Sequence, residues 1–182
     1  MREMLYGPMD DALVARFAGI RLLVCDVDGV FSDGRIYLGN DGEELKAFHT
    51  RDGFGVKALR AVGIEVAVIT GRNSQIVADR FAQLGVPHVY QGQHDKRCAF
   101  LELLDKLGLK ESQSAYLGDD IPDLQLIRLA GLGLAVSDAH PLVSQAADYV
   151  TRLPGGFGAV REVCDLLLQS QGHSLTPDGA SL

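Results

Sequence analysis

Two aspartates one residue apart, Asp26-Val27-Asp28, close a run of apolar residues and are followed at once by Gly29. A carboxylate can attack phosphorus to give an aspartyl-phosphate, and a second carboxylate beside it can carry the protons that formation and hydrolysis of that intermediate require. In extended chain the two side chains would project on the same side, and Gly29 would let the backbone turn sharply beside a phosphate. Other apolar runs also end in polar groups. One ends in Thr70-Gly71-Arg72-Asn73, another in Gly118-Asp119-Asp120 with Asp123 a turn later, and Lys96 opens the stretch after a third. If these ends converge, one crevice holds several carboxylates, a hydroxyl and an ammonium. Like charges a few ångströms apart raise one another's pKa, and a hard divalent cation with oxygen ligands relieves the repulsion. Mg²⁺ suits a site built from a few carboxylates, a carbonyl, waters and a phosphate oxygen. Thr70 and the amides of Gly71 and Arg72, at the mouth of a helix, add donors of the kind phosphate oxygens use.

Convergence requires a particular scaffold. Short runs rich in Val, Ile and Leu at 20–26, 64–70, 86–90, 114–118 and 132–136 read as strands covered on both faces. Between them, 51–62, 74–84, 95–107, 122–130 and 157–169 carry apolar residues at helical spacing, with Gly63, Gly85, Gly108 and Gly131 where C-terminal cap glycines belong. The pattern predicts an α/β fold, a doubly wound parallel sheet, in which ligands bind beyond the carboxyl ends of the strands. Residues 34–49 break the rhythm with two β-rich stretches about Gly39-Asn40-Asp41-Gly42, an inserted hairpin. Only about 42 residues separate Asp28 from Thr70 and 26 separate Thr70 from Lys96, so no cap domain fits in either gap. The expected organisation is one domain over 1–171 and a mobile tail over 172–182.

Composition narrows the function. The 182 residues carry 17 basic and 24 acidic side chains, a net charge of −7, with no basic run to track a phosphate backbone, which argues against nucleic acid. Cys25, Cys98 and Cys164 are too scattered for a disulfide framework or a zinc knuckle and read as small buried hydrophobes. The five histidines show no metal-ligand spacing. Neither a signal peptide nor a run of about 20 apolar residues is evident, which predicts a cytoplasmic protein that does not span a membrane.

The run Asp26-Val27-Asp28-Gly29-Val30, then Thr70-Gly71-Arg72, Lys96 and Gly118-Asp119-Asp120-Ile121-Pro122-Asp123, resembles in order and spacing the four motifs of the haloacid dehalogenase superfamily of phosphohydrolases. The resemblance implies that Asp26 is the nucleophile and Asp28 the general acid/base. It implies that Asp26, the Asp28 carbonyl and Asp119 hold Mg²⁺, with Asp120 or Asp123 in support, and that Thr70 and Lys96 hold phosphate. The hairpin, Thr50-Arg51-Asp52-Gly53 after it, and Gly155-Gly156-Phe157-Gly158-Ala159-Val160-Arg161-Glu162 look like the capless branch that acts on 3-deoxy-D-manno-octulosonate 8-phosphate in lipopolysaccharide biosynthesis. Members of that branch are homotetramers in which the hairpin of one subunit closes the active site of the next.

An open site must either take a large substrate or borrow a lid from a partner, and Ile36, Tyr37, Leu38 and Phe48 on the hairpin favour the partner. Gly71 and Arg72 line the expected substrate site. Arg51 and Arg72 offer paired donors to a sugar acid's carboxylate, and each also stands near a helix start where it could be structural. The double glycine and Arg161 could reach a neighbouring site or shape only a loop and a helix cap. Two other functions share part of the pattern: a phosphatase for a nononate 9-phosphate, and a receiver-type phospho-switch. The switch places its acceptor at the third strand, where this chain has Tyr90-Gln91-Gly92 and no aspartate.

Overall fold

The computed structural model describes residues 1–178. Strands β1 (Arg2–Met4) and β2 (Gly7–Met9) pair antiparallel and lead into helix α1 (Asp11–Ala18), and β3 (Leu22–Cys25) then enters the central sheet. The hairpin follows as β4 (Tyr37–Leu38) and β5 (Glu44–Leu45). Next come α2 (Thr50–Ala61), β6 (Glu65–Ile69), α3 (Gln75–Gln83), β7 (His88–Tyr90) and α4 (Lys96–Leu107). The chain ends with β8 (Ser114–Gly118), a 3-10 turn at Ile121–Asp123, α5 (Leu124–Leu129), β9 (Leu132–Ala135), α6 (Pro141–Ala146), β10 (Tyr149–Val150) and α7 (Ala159–Ser170). The six sheet strands are all parallel and lie in the order β7-β6-β3-β8-β9-β10. The order reverses between β3 and β8, and a crevice opens beyond their carboxyl ends at that switch point.

Strand alternation sorts the core into two layers. On β3, Leu23 and Cys25 face the cluster built with α1, α2, α3 and α7, whereas Leu22 and Val24 face the cluster built with α4, α5 and α6. The same parity puts Val66 and Val68 of β6 on the first face and Ala67 and Ile69 on the second. Asp26, the next even position after Leu22 and Val24, thus emerges on the side of α4, which begins with Lys96. In this way the strand period decides which helix meets the first aspartate.

All five expected strands and helices are present, with ends shifted by a few residues. The two-residue β10, the six-residue α6 and the N-terminal β1, β2 and α1 carried too few periodic positions to be read from sequence. Of the four presumed cap glycines, Gly63, Gly85 and Gly108 adopt positive φ. Gly131 does not; a Cβ there would stand 2.6 Å from the backbone of Ser112, so close packing and not capping requires it. Cys25 and Cys164 are buried as expected, but Cys98 is exposed on the outer face of α4. In the expected tail, Leu175 packs against the core and Asp178 lies beside Lys57 and Arg60; residues 179–182 lie outside the described residues. No helix among the described residues is long and apolar enough to cross a membrane.

Asp52, in the first turn of α2, is 1% exposed and joins α2 to α7 by accepting the Arg161 N–H at 2.9 Å on Oδ1. Its Oδ2 is buried without a hydrogen-bond partner. Burial pushes this carboxyl up to about 6, against the opposing pull of the Arg161 N–H and the charges of Arg161 and Arg80. A carboxyl raised in the fold holds its proton there, so its contribution to stability is present below its unfolded value of about 4 and is lost as pH rises toward 6. About two pKa units correspond to roughly 3 kcal/mol, or several degrees of melting temperature for a chain of this size. Asp52→Asn should therefore melt several degrees above wild type at about pH 7.5 and converge with it near pH 4. Parallel melting curves across that range would show that the charge is compensated in the fold.

Candidate active site

Four strand ends bring their polar residues around one cavity of about 480 Å³. Asp26, Asp28, Thr70, Gly71, Arg72, Lys96, Asp119 and Asp120 all line it, together with Gly34, Gln93, His94 and Pro122. Backbone hydrogen bonds fasten the ends to one another: Asp26 N–H to the Leu117 carbonyl at 3.0 Å, Thr70 N–H to the Tyr90 carbonyl at 2.9 Å, and His140 N–H to the Asp119 carbonyl at 2.7 Å. The nearly wholly buried Thr70 sits at the end of β6.

The floor of the cavity is ionic. Lys96 Nζ lies 3.1 Å from Asp26 Oδ2 and donates to Asp123 Oδ1 at 2.7 Å. The phenol of the fully buried Tyr116 donates to the same Asp123 Oδ1 at 2.7 Å. Asp123 Oδ2 takes the N–H groups of Asp119 and Asp120 at 3.0 and 3.3 Å. Both oxygens of Asp123 are thus engaged in holding Lys96 and the Asp119 loop, the supporting role rather than that of a free ligand. Burial opposes the charge on Lys96, but Asp26 and Asp123 outweigh it and raise its pKa.

Asp119 is the opposite case. Its Oδ1 is buried without a hydrogen-bond partner. Burial, then the charges of Asp123, Asp26 and Asp120, push its carboxyl up to about 8. Asp26 is pushed up to about 6, again by burial first and by Asp123 second, with Lys96 pulling the other way. Carboxylate oxygens of Asp26, Asp119 and Asp123 lie within 4.8 Å of one another. One ammonium among these carboxylates leaves a negative surplus with an unsatisfied hard oxygen, and a small divalent cation fits that donor set.

The segment bearing Asp28 corrects one sequence expectation. Extended chain stops at Cys25, and the N–H groups of Val30, Phe31 and Ser32 converge on the Val27 carbonyl at 2.9 to 3.2 Å, so Asp26 and Asp28 share the cavity through a tight turn and not through strand alternation. Gly29 takes φ +86°, and a Cβ there would overlap the Asp119 carboxylate. The turn is braced from behind by the double glycine. Gly156 N–H donates to the Val30 carbonyl at 2.9 Å, Gly155 N–H to Asp138 Oδ1 at 2.9 Å, and a Cβ on Gly155 would overlap the Gly29 carbonyl. Buried Glu162 shapes the same loop by accepting from Tyr149 OH and the N–H groups of Arg152 and Leu153. Within this chain Arg161 is a framework residue, paired with Asp165 at 2.8 Å and stacked over Phe54.

Arg72 stands half-exposed at the rim, with Nη2 4.0 Å from Glu44 Oε2. Arg51 is exposed and lies apart from the lining of this cavity; its N–H caps onto His49 Nδ1. Sequence reading missed Tyr116, the rim residues Gln93 and His94, and above all Lys46, whose Nζ meets Asp28 Oδ1 at 2.6 Å. A signal existed for Tyr116, which interrupts an apolar strand with a hydroxyl; Lys46 lies just beyond β5, outside any periodic element.

A sequence model of the haloacid dehalogenase-like hydrolases matches residues 82–154. The 3-deoxy-D-manno-octulosonate 8-phosphate phosphatase KdsC of Escherichia coli K12 is 54% identical over 177 residues, 97% of this chain and 94% of the relative. The chain belongs to the 3-deoxy-D-manno-octulosonate 8-phosphate phosphatase family of haloacid dehalogenase-like hydrolases. Its fold agrees: the crystal structure of the Yersinia pestis phosphatase of that name superposes with a TM-score of 0.95 at 51% identity, covering 100% of this chain and 97% of that one. The Moraxella catarrhalis phosphatase, solved with magnesium, phosphate and KDO, superposes with a TM-score of 0.88 at 44% identity over 90% of this chain and 94% of that one. As a member of the haloacid dehalogenase-like hydrolases the chain carries no cap domain among its described residues, only the β4–β5 hairpin.

Because Gly155 supports the Asp28 turn by backbone contact alone, Gly155→Ala should leave the protein folded while displacing that turn. A misplacement near 1 Å at a reacting group costs on the order of 100-fold. Hydrolysis of p-nitrophenyl phosphate, measured beside circular dichroism, checks this; full activity in the variant would show that the turn does not depend on the brace.

Proposed function

We propose that the chain hydrolyses 3-deoxy-D-manno-octulosonate 8-phosphate to the free sugar acid and phosphate through an aspartyl-phosphate on Asp26. The observation that carries this reading is the pairing of Asp26 with Lys96 at the floor of a cavity that Asp28, Thr70 and Arg72 also line. A carboxylate Oδ of Asp26 attacks phosphorus, the bond from phosphorus to the sugar oxygen breaks, and the sugar oxygen takes the departing electron pair and a proton from Asp28. Water then attacks the aspartyl-phosphate, Asp28 takes its proton, and Asp26 departs as a carboxylate. Thr70, the Gly71 amide and Lys96 bind the phosphoryl oxygens through the transfer. Asp26, the Asp28 carbonyl and Asp119 would hold Mg²⁺, which would neutralise charge on the phosphoryl group. The unsatisfied Asp119 Oδ1 supports that assignment. Arg72, which lines the cavity, offers paired donors to the carboxylate of the sugar acid.

Phosphate release across the octulosonate 8-phosphate, a nononate 9-phosphate, hexose phosphates and p-nitrophenyl phosphate, with Mg²⁺ or with chelator, tests the proposal. Strong preference for the octulosonate ester, abolished by chelation, is expected. Asp26→Asn should fold normally and lose roughly 1000-fold or more in kcat. Weak, undiscriminating turnover would discard the substrate, and an active Asp26→Asn would discard the mechanism.

The assembly proposed is a cytoplasmic homotetramer whose hairpins close neighbouring sites, serving lipopolysaccharide biosynthesis. Supporting it, Tyr37, Leu38 and Leu45 on the hairpin are 54%, 75% and 63% exposed, an apolar surface unsuited to water. Leu38→Asp should shift the mass seen by light scattering from tetramer toward monomer and weaken the preference for the sugar ester, leaving p-nitrophenyl phosphate turnover within about threefold. An unchanged mass with unchanged selectivity would count against the hairpin as the lid.

A further inference from the structure

Lys46 approaches Asp28 from the hairpin, outside the four motifs shared by the haloacid dehalogenase superfamily. Its side chain has no solvent exposure, and its Nζ lies 2.6 Å from Asp28 Oδ1 and 3.4 Å from Glu44 Oε1. Asp28 lines the cavity and Lys46 does not. The ammonium therefore touches the cavity's lining through the Asp28 carboxylate. An ammonium withdrawn from water needs a carboxylate partner, and here that partner is the group assigned to carry protons. A carboxylate mounted on a turn is free to rotate about both of its side-chain bonds. A charge-assisted hydrogen bond to one oxygen removes much of that freedom and leaves the other oxygen to face the ester. Glu44 extends the contact to Arg72 at the rim, so that one ionic chain runs from Arg72 through Glu44 and Lys46 to Asp28. The hairpin's return arm is held down by Phe48, whose ring meets Phe81 edge-on at 6.4 Å, so the lysine is delivered by a docked element.

We propose that Lys46 is a positioning residue that fixes Oδ1 of Asp28 so that its other oxygen delivers the proton to the departing sugar oxygen. This rests on the reading of Asp28 given above and adds to it a dependence on the leaving group. A sugar alkoxide cannot depart without a proton, whereas p-nitrophenolate leaves readily as an anion, so misorienting Asp28 slows the first far more than the second.

Rapid mixing of enzyme and Mg²⁺ with each ester, following release of the leaving group in the first turnover, reads this directly. Lys46→Met should slow release from the octulosonate ester roughly 30-fold or more, with KM within about threefold of wild type, and slow release of p-nitrophenolate by less than about threefold. Lys46→Arg, which keeps the charge, should recover most of the loss. Equal slowing of both esters, or a rise in KM with kcat intact, would overturn the proposal and leave Lys46 as an anchor for the hairpin. If circular dichroism shows Lys46→Met to be unfolded, the same comparison is made between Lys46→Gln and Lys46→Arg. A wild-type enzyme active on p-nitrophenyl phosphate but not on the octulosonate ester would count against the substrate reading alone. Lys46 would then be judged on glucose 6-phosphate, whose leaving group also needs a proton.

Discussion

A single ammonium, Lys96, holds the catalytic end of the sheet together. It lies between Asp26 at the end of β3 and Asp123 after β8, and Tyr116 closes the same hydrogen-bonded set from within the core. The carboxylates would repel one another in a cavity shielded from water, and the ammonium alone does not balance them. The residual repulsion is visible where burial and like charge raise Asp26 and Asp119. That imbalance is useful to a phosphatase, because it makes a divalent cation favourable, and cation and ammonium together make a phosphate favourable. Asp123 ties that ammonium and the Asp119 loop to one another, one oxygen for each.

Backbone contacts supply what charge cannot. The Asp28 turn lies against Asp119 on one side and against Gly155 and Gly156 on the other, at distances that only glycine allows. Glu162, buried at the start of α7, orders the loop that presents those glycines. Elements distant in sequence thus press on the residues beside Asp26 and Asp28, and the turn bearing Asp28 is braced while Asp28 itself lines the cavity. Such preorganisation spares the reaction from reorienting groups at the moment of transfer.

The hairpin carries exposed apolar side chains beside an ionic arm. Tyr37 and Leu45 face one another across the β4–β5 pair and are exposed, Leu38 stands opposite Glu44, and Lys46, just beyond β5, meets both Glu44 and Asp28.

The sequence by itself determined the fold class, the strand ends that carry chemistry and the membership of Asp26, Asp28, Thr70, Lys96 and Asp119 in one site. Those properties follow from local periodicity and from the rule that ligands bind where parallel strands end, and both are written in short stretches of chain. Only the tertiary structure decided that Asp123 is spent on Lys96, Tyr116 and two backbone amides, that the double glycine supports a turn, that Arg51 lies apart from the cavity, and that Lys46 reaches Asp28. Each of these depends on which side chain meets which across a long separation in sequence. A hydrogen bond between residues 18 apart, or a van der Waals limit between glycines more than a hundred apart, leaves no periodic trace in the chain that makes it.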